Sequence, residues 1–447
     1  MVGTAAPLPK ADGYRGIWYY NQPTQDEYRY KYSGGMATYP QQHLPIAIYC
    51  PAVHKTFFCY GGTTARKPGD KQGLLHMISC FDHATGKVPR PTLLLNKQTS
   101  DAHDNPTLQV DDAGHLWVFS NSHGTGRPSY IHRSRRPYAV DDFERVLTTN
   151  FSYGQPWFLP EKGFLFLHTR YVKGLRNLFW MTSADGAQWS EPQPLAFIEM
   201  GDYQISWRHG ARVGTAFDFH PKPIGLNARA NLYYLETADL GRAWRNVAGQ
   251  PVVTPITNVA NAALVYDSRK EGQLVYLKDL NFDAQGHPVI LFLTSKGFEP
   301  GPANGPRKWK TARWTGAEWE IHLLTTSGNN YDHGSLYIES DGTWRVIAPT
   351  EMGPQPHNPG GEVVLWTSRD QGLNWTRVKQ LTRNSPHNHT YARRPLNAHP
   401  EFYALWADGH ARQPSESCLY FTNRDGDHVW RLPAMMTEEF ATPEIAW

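Results

Sequence analysis

The sequence predicts an all-β protein, and three observations carry that prediction. Short apolar runs rich in Val, Ile, Tyr, Phe and Trp recur along the whole length, turn residues separate them, and clear amphipathic helix patterns are nearly absent. Gly and Pro supply 38 and 34 of 447 residues, so the chain is dense in turns, while 16 Trp and 23 Tyr offer large rings to pack between sheets.

In chain order, the opening MVGTAAPLPKADG lacks the apolar core of a signal peptide, and residues 1–12 are expected to form a flexible tail. IAIYCP and KTFFCYGG are the first strand-like runs. LQVDD and HLWVFS follow, joined by an Asp-Ala-Gly turn, and then FLFLHTRY and NLFWMTS. RVGTAFDF, NLYYLET, ALVYDS, QLVYLKDL and VILFLTS continue the series, and SLYIES, VVLWTS and FYALWADG end it. Cys50, Cys59, Cys80 and Cys418 show no metal-type CxxC spacing and are expected to be buried free thiols.

Three segments share a Ser or Thr, an Asp, a Gly and a Trp: SADGAQW (183–189), TADLGRAW (237–244) and SRDQGLNW (368–375). Each follows an apolar strand and resembles the Asp-box of BNR-type β-propellers. The Asp and hydroxyl can close a hairpin turn, the Gly supplies positive φ, and Trp189, Trp244 and Trp375 pack between sheets. Polar groups precede strand onsets near His43, His103, Tyr153, Tyr203, Asn261, His333 and His389, mostly about 50 to 65 residues apart. A four-stranded blade needs roughly 40 to 45 residues plus loops. The expected architecture is therefore one seven-bladed β-propeller of four-stranded antiparallel blades over residues 1–447, with the strand near Phe402–Trp406 closing the ring against material around Tyr14–Tyr19.

Composition narrows the function. Lys and Arg number 44 against 41 Asp and Glu, with no long like-charge run, which excludes a nucleic-acid footprint. No apolar run approaches the roughly 18 residues of a membrane helix. In a propeller, residues just before innermost strands converge on one face. There the sequence offers His103 with Asn105, His123, Tyr153, Arg170, Tyr203, Arg208, Arg229 and Asn258, and few carboxylates. A hydrolase built on two carboxylates wants a pair of them. Imidazole, phenol and guanidinium suit proton abstraction beside the carboxylate of an anionic sugar. In such a β-elimination a base takes the C5 proton of a uronate, Arg or Asn neutralises its carboxylate, and an acid protonates the departing O4.

The stretches GYRGIWYYNQ, KYSGGMATYPQQHLPIAIY, HDNPTLQVDDAGHLWVFSNSHG, GLNARANLYYLET and HTYARRPLNAHPEFYALWADG resemble the BNR-type seven-bladed propellers. That group includes ulvan lyases and L-rhamnose-α-1,4-D-glucuronate lyases, and the sequence-related α-L-rhamnosidases of glycoside hydrolase family 145. The resemblance implies a catalytic set of His103, His123, Tyr153 and Arg170, with Asn105, Tyr203, Arg208, Arg229 and Asn258 binding substrate. It implies an acidic polysaccharide joining rhamnose to glucuronate, as in ulvan or gum arabic side chains, a secreted or periplasmic monomer, and no cofactor for the chemistry. The related rhamnosidases imply an alternative, hydrolysis by His43 on the opposite face. A non-catalytic glycan-binding propeller is a third reading. His387 and His389, two apart in HNH, can share a structural metal such as calcium or zinc.

Overall fold

The computed structural model describes residues 7–35 and 43–447. Seven small antiparallel sheets stand in ring order, as the sequence predicts. Blade 1 comprises Ala47–Cys50, Lys55–Thr63, Leu74–Asp82 and Thr92–Asn96. Blade 2 comprises Pro106–Val110, Leu116–Ser120, Ser129–Ser134 and Phe143–Thr149, and blade 3 Ser152–Leu159, Gly163–Val172, Leu175–Ser183 and Gln193–Ala196. The innermost strands of blades 4 to 7 are Gln204–His209, Leu274–Phe282, Ser335–Ile338 and Asn388–Arg393. The inner strands bury residues on both sides because blades stack face to face around the axis, as in Pro288–Ser295, whereas an outermost strand such as Thr376–Gln380 is largely exposed. Phe402, Phe421, Phe58 and Phe81 form one such inter-blade stack, with ring centroids 4.4 to 5.8 Å apart.

The three boxes work as their chemistry predicts. In the first, the Asp185 carboxylate accepts from the backbone N–H of Ala187 and Gln188, both at 2.9 Å, and Trp189 donates to the Gly186 carbonyl at 2.7 Å. Trp189 then packs on Phe119, Phe164 and Phe166 across the blade 2–blade 3 boundary. Gly186 has φ +74°, and a Cβ there would meet the Trp117 ring at 2.3 Å. This turn therefore requires glycine twice over, for its dihedral and for its space.

Several expectations are corrected. Blade 4 is larger than four regular strands. After Ala230–Thr237 it adds Trp244–Arg245, Pro251–Val252 and Leu264–Tyr266 at its outer side, and Leu232 pairs with Tyr266. Asn261 lies in this extension, so blade 5 begins at Leu274 instead. Residues 7–12 are not a loose tail: Leu8 donates to Asp141, Ala11 to Pro91, and Leu93 to Pro9. Residues 1–6 lie outside the described residues, as does 36–42 of the KYSGGMATYPQQH stretch. The N-terminal segment does not add a strand to the last blade. It threads between blades 7 and 1, with Gly16 donating to Ser417 and Ile17 to Gly61, both at 2.9 Å. Trp18–Pro23 and Tyr30–Gly35 then form a separate hairpin. Cys50, Cys59 and Cys80 are buried free thiols, and Cys418 is half-buried.

Gly186→Ala is expected to destabilise the fold by roughly 2–4 kcal/mol, because it adds a clash to an unfavourable φ. Gly249→Ala, at φ +78° with open space around its Cβ position, should cost only about 1 kcal/mol. Urea midpoints of the two variants test the difference.

Candidate active site

The two histidines that frame the blade 2 hairpin meet through a carboxylate. Asp101 caps a short 3-10 turn, Ala102–Asp104, by accepting from the His103 N–H at 3.0 Å. The same carboxylate reaches His103 Nδ1 at 2.5 Å through one oxygen and His123 Nδ1 at 2.7 Å through the other. The imidazoles stack at 4.0 Å with planes 14° apart. Asp104 fixes the second loop: it accepts from the His123 N–H at 2.6 Å and takes a bidentate contact from Arg127 at 2.8 and 3.0 Å. His123 keeps 23% of its side chain exposed and His103 only 2%. With Nδ1 donating to Asp101, His123 presents Nε2 as an acceptor.

Tyr153 enters the cluster through backbone distortion. It has φ +51° and sits where the register of blade 3's innermost strand shifts, a bulge that re-aims its side chain. Its ring lies 6.1 Å from His103, 6.5 Å from His123, 5.4 Å from Tyr203 and 5.5 Å from His43. Asn105 is buried below, and its carbonyl accepts from Asn121 at 2.7 Å, while Asn121 accepts the Gly154 N–H. Tyr153 is thus tied to the histidine loop through the backbone.

The guanidinium beside these groups belongs to Arg176. Its Nη2 lies 3.5 Å from His123 Nε2, and its guanidinium covers the Tyr171 ring at 5.1 Å and the Tyr203 ring at 5.8 Å. Tyr171 and Arg176 are cross-strand partners at the tip of the blade 3 hairpin. Arg170 pairs with Asn177, so strand alternation sends it to the other face of the sheet, 6.0 Å from the Phe179 ring. The structure therefore brings Arg176, and not Arg170, to His123. Arg229 is fully buried between Tyr203 and Tyr276, 4.6 Å from each ring, and reaches the Tyr331 hydroxyl at 3.4 Å. Lys31, from the N-terminal hairpin, donates to Asn227. Burial pushes Lys31 down to about 6, and Arg229 and Arg176 push it further in the same direction. Arg176 and Arg229 are thus the standing cations of this region, and their repulsion of a charge on Lys31 marks it as one that favours an anion.

Other expected site residues lie elsewhere. Arg208 ends the strand that follows Tyr203, roughly 16 Å along it, and donates to the Phe158 carbonyl at 2.7 Å. It lines a cavity of about 500 Å³ on the opposite face with Trp207, Arg394 and Asn397. Asn258 is exposed in the blade 4 extension, where its carbonyl accepts from Asn261. His43 is not on the opposite face. It lies behind the stacked pair, its Nε2 2.9 Å from the His103 carbonyl and its own carbonyl accepting from Tyr391. His389 has both ring nitrogens engaged, with Trp406 at 3.0 Å and Ser385 at 3.0 Å, while His387 lies 4.0 Å from Asp408. The two do not form a metal pair. Among the described residues, the groups able to hold a metal are Asp101 with His103 and His123, and His83 with His399 and Glu401.

Burial pushes His103 down to about 4, and His123 adds to the shift against the pull of Asp101. Burial also opposes ionisation of Asp101, yet the two imidazoles hold its carboxyl below the usual carboxylate range. Between the ordinary histidine value near 6.5 and about 4, the unfolded chain therefore binds a proton at residue 103 that the folded chain does not. Stability is expected to fall as pH drops through that window. Buried His132, also held near 4, and His168, held near 3, add to the same loss. His103→Gln should flatten the slope of melting temperature against pH by at most about one proton's share.

Comparison with known proteins agrees with this architecture. Residues 91–327, more than half of the chain, match the BNR repeat-containing family. An ulvan lyase of Alteromonas sp. (strain LOR) is 24% identical over 434 residues, covering 86% of this chain and 85% of that protein. An ulvan lyase of Nonlabens ulvanivorans is 23% identical over 351 residues, 70% of this chain and 72% of its own. The solved structure of a PL25 ulvan lyase superposes with a TM-score of 0.72 at 17% identity, over 93% of this chain and 96% of that one. An equal match was solved bound to -[GlcA(1-4)Rha3S]-. The Asp-box turns, the ring of seven sheets and the match across its central blades lead to one assignment: the chain belongs to the BNR repeat-containing family.

Proposed function

We propose that the protein is a polysaccharide lyase that cleaves the bond at O4 of a glucuronate by β-elimination, in glycans that join glucuronate to rhamnose. One observation carries this reading: a partly exposed imidazole, anchored by Asp101, lies beside a phenol and a guanidinium. The ulvan lyases among its relatives support it.

In the proposed reaction Arg176 pairs with the C6 carboxylate and draws charge from C5. His123 Nε2 takes the C5 proton, and the adjacent Asp101 stabilises the imidazolium that forms. Tyr153 gives its phenolic proton to O4 as the C4–O4 bond breaks and a C4–C5 double bond forms. Arg229 extends the positive region towards neighbouring anionic groups of the polymer, and such a group would favour the charged form of Lys31 beside it. Positioned acid–base groups of this kind contribute about 10²–10⁴-fold each. His103 fixes the shared carboxylate from behind and is a positioning residue. A polymeric substrate of this kind places the working enzyme outside the cytoplasm, acting as a monomer without a cofactor.

Ulvan or gum arabic incubated with the protein should gain the ultraviolet absorbance of an unsaturated uronate. Free rhamnose with a saturated glucuronate end, and no absorbance, would instead indicate the hydrolase reading. His123→Ala and Arg176→Ala are each expected to lower kcat/KM by about 10²-fold or more. Arg170→Ala should stay within a few-fold of the parent enzyme. Loss of activity in Arg170→Ala with Arg176→Ala unaffected would refute the assignment.

A further inference from the structure

On the face opposite the active site, three histidines converge from two blades that are far apart in sequence. His54 sits on the turn between the first two strands of blade 1, and His83 directly follows its third strand. His399 and Glu401 lie between the first two strands of blade 7. The His83 and His399 rings are 4.0 Å apart, and His54 lies 5.2 and 5.3 Å from them. Candidate ligand atoms of His83, His399 and Glu401 all fall within 4.8 Å of one another.

The hydrogen bonds around the cluster orient the rings. His83 Nε2 is held by the Thr56 hydroxyl at 2.8 Å, and its Nδ1 lies 3.4 Å from the Glu401 carboxylate. The Tyr49 hydroxyl holds His54 Nδ1 at 2.9 Å. One nitrogen of His83 and one of His54 are thus fixed by a neighbouring hydroxyl, and His399 Nδ1 accepts the Glu401 N–H at 3.2 Å, as outer partners fix the imidazoles of a metal centre. Tetrahedral ligands around zinc stand roughly 3.4 Å apart, which the His83–Glu401 pair already matches.

We infer that His83, His399 and Glu401, with His54 completing the set, bind a divalent transition metal of the zinc class that clamps blade 1 to blade 7. Imidazoles with one carboxylate favour zinc over a hard ion such as calcium. The position is where a ring of blades closes. Here the two blades otherwise meet through packing and a few backbone contacts, such as Tyr49 to Leu396 at 2.9 Å and Leu396 to Ala47 at 2.8 Å. A metal that binds only the closed ring stabilises it.

The test is dialysis of the full chain against micromolar zinc, followed by metal analysis and melting with and without EDTA. About one zinc per chain and a melting temperature several degrees lower in EDTA are expected. His399→Ala/Glu401→Ala should lose both the zinc and the EDTA response. It should melt with EDTA-treated parent protein, which separates metal loss from misfolding, and keep its lyase activity. Asp101→Asn, which disrupts the other histidine group, should retain the zinc. No zinc in the parent protein, unchanged zinc in the double variant, or zinc lost only in Asp101→Asn would each overturn the proposal.

Discussion

The active site depends on one carboxylate shared by two imidazoles. Asp101 caps the turn that carries His103, and its second oxygen reaches across to His123 on the far side of the hairpin. Without it, two stacked rings 4.0 Å apart would have no common acceptor, and each would be free to rotate and change tautomer. The carboxylate makes His103 a buried spacer and leaves His123 as the ring that faces outward with a basic nitrogen. The bulge that brings in Tyr153 and the hairpin tip that brings in Arg176 are both arranged around that ring.

The fold was legible because its signals are local. An Asp-box is a turn whose hydrogen bonds close within a few residues, so Asp185, Asp239 and Asp370 could be read directly, as could short apolar strands between turns. What escaped was set by tertiary context. The added strands of blade 4 look like another blade in sequence, which put a blade onset at Asn261. Residues 7–12 have the composition of a tail but are held by backbone bonds to Pro91 and Asp141, partners that local sequence does not reveal.

The site was legible in kind more than in detail. His103, His123 and Tyr153, grouped by motif and spacing, do lie together, and Arg229 lies on the Tyr203 ring beside Tyr153. Arg170 lies one step of strand alternation away from the cluster: Tyr171 and Arg176 share the face that meets His123, a parity that FLFLHTRYVKGLR carries once the hairpin is paired across its Lys-Gly turn. Arg208 has the right chemistry at the wrong end of its strand. Asp101 was missed because its role needs two loops brought together. Lys31 was missed because it comes from an element outside the blade pattern.

That element, the hairpin Trp18–Gly35, pairs with no blade, yet it carries Tyr19 and Tyr32 to His103 and Lys31 to the cationic pocket. The His103–Asp101–His123 cluster and part of the cationic region beside it are therefore built on separate pieces of chain. Changes in this short appendage can therefore reshape the surroundings of His103 while the ring of blades stays the same.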